Sequence, residues 1–179
     1  MLVRSEPCVP RVAPARYDTL EKMQISDIFV ALGEPAFAQI LRTVSMGKLK
    51  TYQLYDRVKL RFHMTKLNSE TLRKAAPRLF ARIAEPDDEF ATDVAQTVLV
   101  SHLDMIKDVL DLLGIPHEDG FFAKDLDPAG KLTEGWQQRV FDQFRSKYPE
   151  ALLVFYINHL NLELTKSGEL FNPIAATAA

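Results

Sequence analysis

Apolar residues recur every three or four positions along most of this 179-residue chain, which is the spacing of amphipathic helices. The longest such pattern lies between Pro86 and Pro116, and its apolar stripe contains Val98, Leu99, Leu103, Met105, Ile106, Val109, Leu110, Leu112 and Leu113. Asp87 is a suitable N-cap, and Gly114 can adopt the left-handed conformation that ends a helix. The pattern therefore predicts one central helix over residues 87–113.

Two short helices are predicted upstream of this central helix. They cover residues 26–33 and 35–44, and the inward positions of the second are Phe37, Ile40, Leu41 and Val44. Gly47 follows, and we expect it to break the chain before a strongly basic segment.

Within the basic segment, Asn68 or Ser69 caps a helix that ends near Ile83, and Pro77 either kinks that helix or divides it in two. The residues before this cap are ambiguous. Residues 58–64 alternate apolar and polar side chains as a strand does, although Tyr52, Tyr55, Val58 and Phe62 keep helical spacing. We favour a helix there.

Two more helices are predicted after the acidic connection that follows Gly114. Residues 133–147 form an amphipathic pattern that packs Trp136, Val140, Phe141 and Phe144. The last helix begins at Pro149 and reaches Gly168, with Leu153, Ile157, Leu160 and Leu164 at helical spacing. Its second half, residues 158–165, also alternates polar and apolar residues, which is the pattern of a strand.

These elements together predict a mainly α fold, a single-domain bundle of about seven to eight helices. The alternative adds a small two-stranded β ribbon that pairs residues 58–64 with residues 158–165. An apolar content of 47% is enough for one core. The domain is expected over residues 17–171, with a proline-containing flexible arm at 1–16 and a flexible tail at 172–179.

Charge is segregated along the chain although the formal net charge is only −2. Residues 48–82 carry ten Lys or Arg against two acids, and residues 85–127 carry twelve acids against two lysines. Such a chain either offers its basic block (48–82) to a polyanion or closes it on its acidic block (85–127), within one molecule or between two. Asp104, Asp108 and Asp111 share one helical face and are the expected docking face for the basic block.

Several classes of protein are disfavoured by composition. The longest uncharged apolar stretch, residues 151–162, is twelve residues and is too short for a spanning helix, so we expect no membrane partner. A single cysteine, Cys8, forms no internal disulfide, which favours a cytoplasmic location. No phosphate-binding loop, nucleophile elbow or metal-ligand pair of histidines occurs, and we expect no cofactor and no metal.

The acidic connection contains a partial match to a calcium-binding loop. Asp125, Asp127 and Gly130 occupy positions 1, 3 and 6 of that loop, but position 12 holds Trp136 in place of the closing glutamate. A turn around Pro128 is the simpler interpretation.

The basic block resembles a helix-turn-helix DNA reader in outline only. Its candidate contacts to nucleic acid or to a partner are Lys59, Arg61, Lys66, Arg73, Lys74 and Arg78. Phe121 and Phe122 follow Gly120 in a polar connection, where they either fill a gap between helices or present an apolar anchor to a partner.

Two histidines are the candidates for a pocket. His102 falls on the apolar stripe, where a core histidine bonded to a neighbouring element is the simpler interpretation. His159 has Glu163 four residues later, so a base and a carboxylate can stack on one helix face.

Three functional hypotheses follow from the sequence. The first is a non-enzymatic interaction module that assembles with a protein partner or with itself, as a homo-oligomer, through its basic and acidic faces. The second is a nucleic-acid-binding protein that uses the basic block. The third is a small-ligand binder or an enzyme with a pocket around His159 or His102, which a cavity lined by one imidazole and a second polar group would favour.

Overall fold

The computed structural model describes residues 23–51, 68–85, 88–123 and 129–173 of the chain. The α-helices in these ranges are α1 (Ile25–Leu32), α2 (Glu34–Arg42), α3 (Met46–Thr51), α4 (Ser69–Ile83), α5 (Asp88–Val100), α6 (Leu103–Leu113), α7 (Trp136–Phe144) and α8 (Glu150–Thr165). An antiparallel hairpin pairs β1 (His117–Glu118) with β2 (Phe121–Phe122), and a 3-10 helix spans Ala129–Lys131. The predicted mainly α, multi-helix fold is confirmed.

Helix α8 lies at the centre of the core. Ten of its sixteen residues are buried, so it has no broad solvent face. It contacts α1, α2 and α7, while α2 packs closely on α4 and α1 on α5. The ring of Phe155 stacks on Phe29 with centroids 4.7 Å apart, and Phe37 meets Phe29 edge-on at 5.3 Å. Burial around the whole circumference is why α8 lacks a single amphipathic stripe.

The alternative β ribbon is wrong for residues 158–165, which are helical, while residues 58–64 lie outside the described part of the chain. The alternation in sequence has another cause. Two polar stripes interleave on α8, and each follows the helical spacing of three and then four residues. One stripe is Tyr156, His159 and Glu163, and the other is Asn158, Asn161 and Thr165.

The stripe of Asn158, Asn161 and Thr165 holds the chain that follows α8. The Asn158 amide donates to the carbonyl of Phe171 (2.8 Å), and its oxygen accepts from the Phe171 N–H (2.7 Å). Asn161 donates to the carbonyl of Glu169 at 3.2 Å, and the Thr165 hydroxyl contacts Asn161. Residues 166–171 therefore lie along this side of α8, fixed by buried amide side chains.

The predicted central helix over residues 87–113 is wrong as one continuous element, because α5 ends at Val100 and α6 begins at Leu103. Ser101 lies at the break. Its hydroxyl donates to the carbonyl of Thr97 (2.9 Å) and accepts from the backbone N–H of Ser45 (3.0 Å). The hydrogen bond to Ser45, in the connection before α3, thus stabilises a break between α5 and α6 that the apolar pattern does not predict.

The predicted end of this region is confirmed. Gly114 is left-handed at φ 65°, and the N–H of Ile115 donates to the carbonyl of Leu110 at 2.9 Å. Ile115 is buried and covers the last turn of α6. The chain then turns directly into the hairpin.

Other predictions are refined by the structure. Asn68 caps α4 by accepting the N–H of Thr71 at 2.9 Å, and Pro77 lies inside one uninterrupted helix with its ring exposed. The predicted break at Gly47 is wrong, because Gly47 is the second residue of α3. Helix α7 begins at Trp136, three residues later than predicted. None of the described helices is long and apolar enough to cross a membrane.

Candidate functional site

A pocket of about 200 Å³ opens between the hairpin, the α5–α6 junction and α8. We call it the hairpin pocket. Its apolar wall comes from the end of α5, the first turn of α6 and the second strand: Leu99, Val100, Leu103, Ile106, Gly120, Phe121 and Phe122. Its polar side chains, Tyr156, His159 and Glu163, all belong to one stripe of α8. A largely apolar cavity with a few convergent polar groups is the usual form of a small-ligand site.

The imidazole of His159 lies in the middle of this polar stripe, between the buried Tyr156 and the half-exposed Glu163. Its side chain is only 16% exposed, and its ring packs beside Phe155 with centroids 6.0 Å apart. The Nδ1 atom is 3.9 Å from Oε2 of Glu163, a separation too long for a direct hydrogen bond. A water molecule or a ligand atom is needed to connect these two groups.

Burial sets the ionisation of the polar stripe. It lowers the pKa of His159 to about 4, so the imidazole is neutral at physiological pH. It raises the pKa of the Tyr156 phenol, which stays protonated, and also raises the pKa of Glu163 above its usual value. Half of the Glu163 side chain is exposed, so the carboxyl group lies between the cavity and solvent. Among the described lining residues, Glu163 is the only acidic side chain, and none is lysine or arginine.

The conformation of the hairpin that forms one wall of the pocket is determined by its own turn residues. Asp119 and Gly120 both have positive φ (52° and 91°), as the two central residues of a type I′ turn require. A Cβ at Gly120 would lie 3.3 Å from the Ile106 side chain, so glycine also permits close packing on α6. Lys107 of α6 pairs with Asp119 at 3.0 Å and ties the turn to that helix.

His117 adds a second tie between the hairpin and α6. Its Nδ1 accepts the backbone N–H of Gly120 at 3.2 Å, so the proton must be on Nε2 when the ring is neutral. That Nε2 lies 3.2 Å from Oδ1 of Asp111 and donates to it. These contacts hold β2 against the pocket.

Phe121 and Phe122, predicted as anchors, both border the hairpin pocket. Phe121 is 61% exposed, the most exposed large apolar side chain among the described residues, whereas Phe122 packs partly against the core. Each of the two alternatives given by the sequence therefore applies to one residue. Phe122 fills a gap between helices, whereas Phe121 remains exposed beside the pocket.

His102, the second candidate imidazole, is not among the residues that line this pocket. Its Nε2 lies 2.8 Å from the Thr43 hydroxyl, which itself donates to the carbonyl of Ile40 at 2.6 Å. Because a hydroxyl has one proton to donate, His102 must be the donor through Nε2. Burial lowers the pKa of His102 as well. It is a structural histidine bonded to a neighbouring element, as the simpler interpretation stated.

The basic block is only partly described. Lys59, Arg61 and Lys66 lie outside the described residues, while Arg73, Lys74 and Arg78 are exposed on α4. Lys74 pairs with Glu70 one turn earlier at 2.9 Å. Lys74 and Arg78, together with Thr71 and Ala75, border a shallow depression of about 240 Å³.

The acidic face proposed as the dock for the basic block has other partners. Asp108 accepts from Lys147 and from the Tyr148 hydroxyl (2.6 Å), and Asp111 contacts His117. The Lys147 and Tyr148 contacts lower the pKa of Asp108. Two of the three aspartates thus bind residues outside residues 48–82, which disfavours internal docking on this face.

Asp125 and Asp127 of the partial calcium loop lie outside the described residues. In the ranges that the structure does describe, no three His, Cys, Asp or Glu side chains are grouped as metal ligands.

The sequence pattern identified His159, Glu163, Phe121 and Phe122 as candidates, but it did not identify Tyr156. The spacing from Tyr156 to His159 and Glu163 was the available signal, since these positions share one helix face. The apolar wall from α5 and α6 could not be found, because the break between those helices was not predicted. No protein-family model, curated protein or solved structure matches this chain.

Proposed function

We propose that this protein binds a small, largely apolar ligand in the hairpin pocket. The observation that carries the proposal is a cavity of about 200 Å³ whose apolar wall faces a buried imidazole and a carboxylate on one helix stripe. An apolar cavity of about 150 Å³ holds one benzene molecule. The hairpin pocket is slightly larger, so it can accept a ligand whose apolar part is about the size of benzene.

The arrangement favours binding over catalysis. General acid or base catalysis is most efficient when the catalytic pKa lies near the working pH, and burial moves the pKa of His159 to about 4. The long separation of His159 from Glu163 also leaves the imidazole without an orienting hydrogen bond from that carboxylate. Both groups are instead suited to recognise polar atoms of a ligand.

A ligand-observed NMR screen of small aromatic and aliphatic fragments tests this proposal. Val100 lies in the pocket wall, and Val100→Phe should fill the cavity and abolish binding of any fragment that the wild type binds. Val30→Phe is the matched control, because Val30 is 49% exposed on α1 and is not a lining residue. Failure of all fragments to bind, or equal binding by the wild type and Val100→Phe, contradicts the proposal.

A second candidate function is assembly with an acidic partner through α4. It is favoured by the exposure of Arg73, Lys74 and Arg78 on one helix while Asp108 and Asp111 are occupied by other residues. The partner in this proposal is an acidic protein surface, a second copy of the chain included.

Two measurements at low and moderate salt test the second candidate. Sedimentation of the protein alone reports self-association, and the anisotropy of a labelled oligonucleotide titrated with the protein reports nucleic-acid binding. Salt-sensitive association that Arg73→Ala and Arg78→Ala together weaken supports protein assembly. Salt-sensitive oligonucleotide binding with a monomeric protein would replace this candidate with nucleic-acid binding. If the protein stays monomeric at both salt concentrations and binds no oligonucleotide, α4 is not a binding surface.

A further inference from the structure

The ligand of the hairpin pocket is an organic cation: we infer that the pocket binds a small ammonium group carrying apolar substituents. This inference rests on the proposed function, because it names the class of ligand that the same cavity accepts. It depends on the charge of the lining, on the aromatic rings around it and on its size.

The charge of the lining selects for a cation. Glu163 is the single acidic side chain among the described lining residues, which include neither lysine nor arginine. Lys107, on the helix that supplies Leu103 and Ile106, is paired with Asp119. A carboxylate or phosphate ligand would therefore meet a negative group with no positive one to offset it.

Aromatic rings surround the same space. Phe121, Phe122 and Tyr156 border the cavity, and the neutral ring of His159 joins them. The faces of phenyl and phenol rings attract cations, and several rings around one site form the aromatic cage that recognises quaternary ammonium groups. The exposed ring of Phe121 stands at the rim, where it can cover a ligand that has entered.

Size limits the substituents. A volume of about 200 Å³ accommodates a trimethylammonium group or a benzylammonium, but not a drug-sized molecule. A neutral hydrocarbon of that size would fill the apolar wall yet leave Glu163 without a partner. An ammonium ligand satisfies both features, since its charge pairs with the carboxylate while its alkyl groups contact Leu103 and Ile106.

The test compares choline with 3,3-dimethylbutan-1-ol, which has the same shape with carbon in place of the charged nitrogen. Calorimetric titration of the full chain should show choline binding at least about tenfold more tightly than the neutral alcohol. Glu163→Gln should remove most of this preference, because it should lower the affinity for choline far more than the affinity for the alcohol. Glu134→Gln, at an exposed acid outside the pocket, is the matched control and should change neither affinity.

The outcomes separate this inference from the proposed function. Equal affinity for choline and the alcohol, each abolished by Val100→Phe, overturns the ammonium inference while the pocket remains a binding site. A preference for choline that Glu163→Gln leaves intact also overturns it, because the cation would then bind elsewhere. Absence of binding by choline, the alcohol and the fragments rejects both proposals. Circular dichroism of each variant establishes that the fold is retained.

Discussion

Helix α8 carries two polar stripes of the same length and spacing, and they differ in what their side chains contact. Asn158, Asn161 and Thr165 are bonded to the backbone or to each other, and Asn158 alone makes three hydrogen bonds. On the other stripe, His159 and Glu163 stand 3.9 Å apart and face a cavity.

The difference separates a structural stripe from a candidate binding stripe on a single helix. Buried polar groups in a protein are almost always satisfied, because an unpaired one costs free energy. A stripe whose groups bind the chain itself is explained by folding. A stripe that faces a cavity instead, with its groups too far apart to bond directly, is available to a ligand.

The largest effect expected from this comparison is on the first stripe. Asn158→Leu keeps the size of a side chain that is 2% exposed, but it leaves the N–H and carbonyl of Phe171 without their partner. At about 2 kcal/mol for each orphaned group, the free energy of unfolding should fall by about 4 kcal/mol. Urea denaturation measures this loss, and hydrogen exchange at the Phe171 amide should accelerate. A loss below about 1 kcal/mol would mean that residues 166–171 do not depend on this asparagine.

The second effect is the pH dependence of stability that His159 produces. The unfolded imidazole binds a proton below about pH 6.5, whereas the folded one stays neutral down to about pH 4. The unfolded state therefore binds more protons between these values, so the free energy of unfolding falls as pH falls from 6.5 to 4. The full contribution of His159 is about 3 kcal/mol, reached near pH 4.

Comparison with His159→Gln isolates this contribution, because other titrating groups, Glu163 and His102 among them, are kept in both proteins. The variant should lose less stability than the wild type between pH 6.5 and pH 4 in urea denaturation at each pH. Parallel curves for the two proteins would show that the imidazole is not protected from protonation, and the buried position of His159 would be wrong.

The smallest effect is expected at Glu163. Half of its side chain is exposed and it makes no direct hydrogen bond to His159, so Glu163→Gln should change the free energy of unfolding by less than about 0.5 kcal/mol. Thermal and urea denaturation at pH 7 measure it. A loss comparable to that of Asn158→Leu would make the two stripes equivalent and would assign Glu163 a structural role.

The sequence predicted the site unevenly. The placement of His159 and Glu163 on one face was visible because residues four positions apart lie one above the other on a helix. The exposure of Phe121 could be anticipated because a phenylalanine in a polar connection is unusual. The structural role of Asn158 and Asn161 was not visible, since their partners are backbone groups of residues 166–171, and backbone groups leave no mark in side-chain patterns.

The break between α5 and α6 was missed for a related reason. Apolar positions continue across Ser101 and His102, so local periodicity favours one helix, and the competing hydrogen bonds come from Thr43 and Ser45, more than 50 residues away. The same break brings Leu99, Val100 and Leu103 around the cavity. Because this one break was not predicted, the apolar wall of the pocket was not predicted either.

The sequence by itself determined most of the helical segments, the caps at Asn68 and Gly114 and which faces are apolar, because propensity, capping and periodicity act over a few neighbouring residues. Only the tertiary structure decided which polar side chains are satisfied and which face a cavity, because that depends on chain segments brought together from distant positions. On α8 the two polar stripes have identical spacing. Only the residues packed against each stripe show that one is structural and the other is a candidate binding site.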